Sequence, residues 1–370
     1  MVAVNTAYSA STYYSAAASQ TGNTATTGNA TSTSTTPVET AATSVTLSDA
    51  AKAALATKDF ATVLTETHAK LKALLKEAGP TNPLEKDKLA LDLSSLDARE
   101  LYAMASNDGF TSDEQKAAGL EMQRRLEAAL AGPAAVSKVT GNYHGLYKAA
   151  AEYLDSLGPE EKAAPDWVAA RAAITEGLKQ LQADPKKLPD AGKDDPVAIY
   201  LALVNSGETT TPRPITDIAT TARKTLDTLY ADATAAGKAA TFNKNTTVGT
   251  YIDMSKFDSR TLSSIVLDTS GQFTTEETRA ANMALKAKSG AALLAGFQSA
   301  AKSSDPTAFS QNVISIYSSM SAEERLAAGW SEDFYKAALG SYQSTANLLN
   351  MFSQATSSNS GTGIMSWFAQ

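Results

Sequence analysis

The stretch Asp92-Leu93-Ser94-Ser95-Leu96-Asp97-Ala98-Arg99-Glu100-Leu101 returns as Asp253-Met254-Ser255-Lys256-Phe257-Asp258-Ser259-Arg260-Thr261-Leu262, 161 positions further on. The correspondence continues downstream at a spacing of 163, where Gly109-Phe110-Thr111-Ser112-Asp113-Glu114 answers Gln272-Phe273-Thr274-Thr275-Glu276-Glu277. Glu160-Glu161 and Trp167 then answer Glu323-Glu324 and Trp330. The change of spacing places a short insertion around Asp268 to Gly271. Upstream, Leu71, Leu74 and Leu75 answer Leu226, Leu229 and Tyr230 at a spacing of 155. A repeat of roughly 150 residues has the size of a domain, whereas solenoid repeats are shorter and more numerous. The expectation is an all-α chain built by tandem duplication of one helical-bundle unit.

The residues kept in both copies have the form of helix starts. Ser94-x-x-Asp97, Ser255-x-x-Asp258, Thr111-x-x-Glu114, Thr274-x-x-Glu277 and Ser321-x-x-Glu324 all place an acid three residues after a hydroxyl. In such a box the hydroxyl accepts from an orphan backbone N–H and the acid reaches back to the cap. Gly158, the counterpart of Ser321, keeps Glu161 but lacks the hydroxyl. Leu96, Leu101 and Met104, with Phe257, Leu262 and Ile265, supply the apolar positions at helical spacing. The paired acids therefore read as caps, and exchanging Glu114 or Glu277 for Gln is expected to be mild. Arg99 and Arg260 read as halves of ion pairs inside their own units. Trp167 and Trp330 read as anchors of the following helix, and Phe110 and Phe273 as plugs between two helices joined by a tight turn.

Asp268-Thr269-Ser270-Gly271-Gln272-Phe273 resembles an EF-hand loop locally. Such a loop needs oxygen ligands at positions 1, 3 and 5, glycine at 6 and a bidentate acid at 12. With Gly271 at position 6 the first ligand is Val266, followed by Asp268 and Ser270, with Glu277 at the end. In the first copy, Asn107-Asp108-Gly109 is shorter still. The segment reads as a helix–turn–helix hinge without an ion.

Chemistry is otherwise sparse. The chain has no cysteine, which removes disulfides, thiolate catalysis and cysteine-ligated metals, and its two histidines, His68 and His144, stand at no metal-binding spacing. His68 has no histidine counterpart, because Arg223 takes its place, and both histidines read as surface or cap residues. Ser299-Ala300-Ala301-Lys302 has the S-x-x-K form without the elements that accompany it in hydrolases, and G-x-S-x-G is missing. The Gly-Lys pairs at Gly192 and Gly237 lack the rest of a phosphate loop. No catalytic, cofactor-binding or metal residue is expected. A net charge of −7, with no basic block interleaved with aromatics, argues against a nucleic-acid partner. The apolar run Ala291 to Phe297 is too short to span a membrane.

The organisation follows. Residues 1–45, with no charge before Glu39, read as a disordered Ser/Thr/Ala-rich arm and fit neither a Sec nor a Tat signal. Residues 46–206 form helical unit 1, 207–214 a linker, 215–354 helical unit 2 and 355–370 a flexible tail closing on Ile364-Met365-Ser366-Trp367-Phe368. Helices are expected near 48–55, 59–78, 95–106, 111–131, 143–157, 160–182 and 196–205, then near 215–236, 257–267, 274–302, 306–319 and 331–353. The arm followed by V-x-L-S-x-x-A-x-x-A-L, here Val45 to Leu55, resembles the start of uncharacterised proteobacterial proteins, some linked to flagellar or other specialised export. That resemblance implies a bacterial protein placed outside the cell or at its surface by a non-Sec route. The expected function is a non-enzymatic structural or interaction protein with a protein partner. The competing expectation is a cytoplasmic adaptor or chaperone-like regulator whose helical units offer a groove to a partner helix.

Overall fold

The computed structural model describes residues 58–79, 82–85 and 88–358. The arm over residues 1–45, the helix expected near 48–55 and most of the tail lie outside them. The fold is all-α, with thirteen α-helices, one 3-10 turn and four two-residue strands among the described residues.

The first half runs α1 (Phe60–Ala78), β1 (Leu84–Glu85), β2 (Lys88–Leu89), α2 (Ala98–Ser106), α3 (Ser112–Thr140), α4 (His144–Asp155), α5 (Pro159–Lys162), α6 (Pro165–Ala183) and α7 (Pro196–Ser206). The second runs α8 (Ile215–Ala235), β3 (Ala240–Thr241), β4 (Thr250–Tyr251), a 3-10 turn (Met254–Lys256), α9 (Ser259–Leu267), α10 (Thr275–Ala301), α11 (Ala308–Ser319), α12 (Ala322–Ala328) and α13 (Glu332–Ser358). Both halves thus order their elements as long helix, strand pair, nine-residue helix, long helix, twelve-residue helix, short helix and long helix. The strand pairs differ, β1–β2 being antiparallel and β3–β4 parallel. Two residues are too few for the alternation that announces a strand in sequence.

Proline accounts for two departures from the expected helices. Residues 160–182 are not one helix: the chain breaks at Ala163-Ala164, and Pro165 opens α6. A residue before proline avoids the helical region, and Ala164 sits at φ −70°, ψ 140°. By contrast α3 passes through Pro133 and continues to Thr140, nine residues past the expected end. An interior proline removes a helix hydrogen bond, so something must hold the last turns. That support is tertiary: Val136 and Val139 of α3 pack with Val313, Ile314 and Ala338 of α11 and α13.

The cores come in two layers. Around α2, one cluster joins Leu71, Leu101, Met104, Phe110 and Met122; around α9, its counterpart joins Leu226, Leu262, Ile265, Phe273 and Leu285. Behind the first lies a cluster that includes Leu130, Leu146, Tyr147, Leu154, Ile174 and Val197 of α3, α4, α6 and α7. Behind the second only Val313, Ile314 and Ala338 are fully buried, and the cluster borrows Val136 and Val139 from the first half.

Gly132 lies where α3 crosses α11. A Cβ placed there would sit 2.6 Å from the Ser315 carbonyl oxygen and 2.5 Å from its Oγ. Gly132→Ala gains about 1 kcal/mol of helix propensity but overpacks the crossing, a cost of about 1–3 kcal/mol. The net result expected in denaturant melts is destabilisation. A more stable variant would show that the two helices are not held this closely.

Candidate functional site

The acids matched between the two halves occupy helix starts. Asp97 caps α2, its carboxylate accepting the Glu100 N–H at 2.8 Å while Glu100 Oε2 accepts the Asp97 N–H at 2.9 Å. Asp258 caps α9 through the Thr261 N–H at 2.7 Å. The caps are therefore the aspartates and not Ser94 and Ser255. Those two serines donate their backbone N–H groups to Asp92 and Asp253 in the preceding turn. The box in the first half is Asp97-x-x-Glu100, and Thr261 stands in place of its acid in the second. Thr111–Glu114, Thr274–Glu277 and Ser321–Glu324 all form complete boxes.

Glu114 and Glu277 differ in what else they do. Glu277 is buried and also accepts from Arg223 Nη1 at 2.8 Å and from the Tyr230 hydroxyl at 2.8 Å. Burial pushes its carboxyl up, but these donors and the Thr274 N–H outweigh burial and hold it below the usual carboxylate range. Thr111→Ala is expected to cost about 1 kcal/mol, the ordinary loss of a cap. Glu114→Gln should be near neutral, whereas Glu277→Gln strips the charge from Arg223 and should cost about 1.5–3 kcal/mol. Equal, small effects of the two Gln variants on melting would refute this asymmetry.

At the hinge, Asp268 adopts φ 39° and Gly271 φ 64°. Asp268 Oδ1 accepts the N–H groups of Gln272 at 2.9 Å and Phe273 at 3.3 Å. The carboxylates of Asp268 and Glu277 are thus engaged in turn and cap, and no cluster of three or more His, Asp or Glu side chains that could hold a metal occurs among the described residues. Phe110 and Phe273 are buried as plugs. Each is covered by the side chain at one equivalent position: His68 stacks on Phe110 at 3.8 Å, and the Arg223 guanidinium lies 5.6 Å from the Phe273 ring centre. His68 and His144 are exposed.

Charged side chains stitch the halves together. Glu121 of α3 is buried between Arg124, at 2.7 Å, and Arg125, at 2.8 Å. Arg125 also donates to the Leu93, Ser94 and Leu96 carbonyls. Across residues 207–214, Arg213 lies 2.6 Å from Asp92, and the Thr210 N–H donates to Glu127 at 2.9 Å. Arg99 forms its expected ion pair, with Glu160, through Nε at 2.7 Å. Arg260 does not follow it: Nη2 donates to the Arg213 carbonyl at 2.8 Å. Arg99 crosses Gly158, with Cγ 3.3 Å from where a Cβ would stand. Trp167 anchors α6, its indole N–H donating to the Leu154 carbonyl at 2.9 Å, whereas Trp330 precedes α13 and meets Phe334 edge-on.

Sequence reasoning missed two features. The Tyr147 hydroxyl donates to Asp195 at 2.5 Å inside the rear core, and Asp195 caps α7; the two residues are 48 apart in the chain. The second feature is the outer face of α10. Its inner face buries Glu277, Ala281 and Leu285, yet Met283, Leu294 and Phe297 on the outside are 67%, 56% and 58% exposed. Phe297 meets the half-open Phe309 ring at 5.9 Å, edge to face. A groove of about 600 Å³ runs beside the start of the helix, with Phe273 and Met283 in its wall and Arg279 and Lys286 along it. No protein-family model matches the chain, and neither a curated protein nor a solved structure matches it.

Proposed function

We propose that this chain is a non-enzymatic bacterial structural or interaction protein, built as a tandem pair of helical units and carried outside the cell or to its surface by a non-Sec route. The observation that carries the non-enzymatic reading is where the buried ionisable groups are placed. Glu100, Glu277, Glu324 and Asp195 serve helix caps, Glu121 pairs with Arg124 and Arg125 of its own helix, and Glu127 holds Thr210 of the linker. The shared order of elements and the matching caps support duplication of one unit at 46–206 and 215–354. No described helix is long and apolar enough to cross a membrane. Exposed large apolar side chains on α10 and α13, among them Leu294, Phe297, Leu348 and Leu349, support a protein-binding role for the second unit.

Export is tested by locating the full chain in a bacterial host that carries a specialised secretion system. The reading expects the protein in the culture supernatant or on the cell surface, with loss of that location when residues 1–45 are deleted. Retention of the intact chain in the cytosol would replace it with the adaptor reading.

A further inference from the structure

We infer that the outer face of α10 is the docking surface for an acidic amphipathic helix of a partner protein. The inference deepens the interaction reading above and uses its alignment of the two units.

Met283, Ala287, Gly290, Leu294 and Phe297 follow one another at spacings of four, three, four and three, and all five are exposed. That is the period of a helix-packing seam. It lies opposite the face that buries Ala281 and Leu285, so α10 is apolar on two sides while only one is covered. The middle of the seam is small, and a Cβ at Gly290 would meet nothing, which leaves room for another helix to approach closely. The seam spans about 21 Å, or about four turns of a partner helix.

Folding does not account for this face. At the spacing of 163 that aligns Thr111 with Thr274, Arg124 and Glu127 of α3 stand where α10 has Ala287 and Gly290. In the first half Arg124 and Glu127 share that face with Leu120, Ala131 and Ala134, and Glu127 is roofed by Thr210. In the second it is apolar or small and open to water, the reverse of what burial would select.

Charge defines the occupant. From Thr278 to Ser304 the chain carries Arg279, Lys286, Lys288 and Lys302 and no acid, in a protein whose net charge is −7. Arg279 and Lys286 lie along the groove at one end of the seam. None of the four cations is in an ion pair among the described residues. An exposed seam of apolar and small residues with Arg279 and Lys286 beside its start complements a helix with leucines at three-four spacing and glutamates beside them at that end. The small centre favours an interdigitating helix over a lipid surface, which is met by bulky apolar side chains.

The test titrates the full chain with a synthetic peptide helix bearing leucine and alanine at seam positions and glutamate at the flanks. Parallel titrations use a lysine-flanked version and phosphatidylserine vesicles. The glutamate peptide is expected to bind saturably with one site, more weakly as salt rises, and the lysine peptide not to bind. Arg279→Glu with Lys286→Glu, and separately Leu294→Ser with Phe297→Ser, should each weaken binding about tenfold or more. Arg279→Lys with Lys286→Arg should retain it. All four substituted residues are exposed, and unchanged melting of each variant checks that the fold is intact. The inference is overturned if no saturable binding occurs, if these variants bind as the parent does, or if the vesicles are bound in preference to the peptide. None of these outcomes bears on whether the chain is exported.

Discussion

Replacing Glu121 by alanine is expected to cost about 3–5 kcal/mol, the usual penalty for removing one partner of a buried ion pair. The side chain of Glu121 is 4% exposed, while those of Arg124 and Arg125 are 35% and 23% exposed. Burial raises the Glu121 carboxyl, and the paired guanidinium groups more than reverse this, so it is held below its ordinary value. Deleting it strands Arg125 beside the Leu93, Ser94 and Leu96 carbonyls, which satisfy its hydrogen bonds but not its charge. The same loss loosens the turn before α2, because Arg125 closes that turn onto α3. Glu121→Ala should therefore lower the denaturation midpoint strongly, and a double-mutant cycle with Arg125→Ala should show coupling above ~1 kcal/mol. Coupling near zero would mean that the two side chains do not form a unit. As an acid-sensitive pair, Glu121 should also contribute stability that is present at neutral pH and is lost as pH falls through its depressed value.

Much of the fold was legible because helix starts are written locally. Thr111-x-x-Glu114 and Thr274-x-x-Glu277 fix where α3 and α10 begin, and the apolar spacing around Leu101 and Leu262 fixes their partners. What stayed hidden depended on distance in the chain. Pro133 is a local stop signal overridden by packing of Val136 and Val139 against the other half. Arg99 and Arg260 occupy equivalent positions and still part ways, because one faces Glu160 and the other the linker carbonyl of Arg213. The run Ala291 to Phe297 shows the same limit. It was read for its length against a membrane span, while its meaning lies in the open face of α10, visible only once the buried face is known. Caps can be read from four residues; uncovered surface cannot.

Glu161 carries the second large effect. It matches Glu324 in the sequence, but Gly158 stands at the cap of α5, so no hydroxyl completes a capping box, and its Oε2 is buried without a hydrogen-bond partner. Burial pushes its carboxyl from the ordinary 4.5 up to about 8, with only a small opposing pull from Lys162. The folded protein therefore keeps a proton on Glu161 where the unfolded chain has released it. Between 4.5 and about 8 the native state binds more protons, so this residue's contribution to stability falls as pH rises, by about 1.4 kcal/mol per pH unit. The contribution is fully present below the unfolded value and exhausted above the folded one. Glu161→Gln removes the titration. It should match the parent near pH 4 and exceed it in stability by about 3 kcal/mol at pH 7. The measurement is a set of denaturant melts across that range, with carboxyl NMR following the side chain directly. A variant no more stable than the parent at pH 7, or a Glu161 carboxyl titrating near 4.5, would place this side chain in water and return α5 to an ordinary surface turn. A gain that grows with pH would instead identify an acid kept neutral by the cost of charging it between α2 and α6.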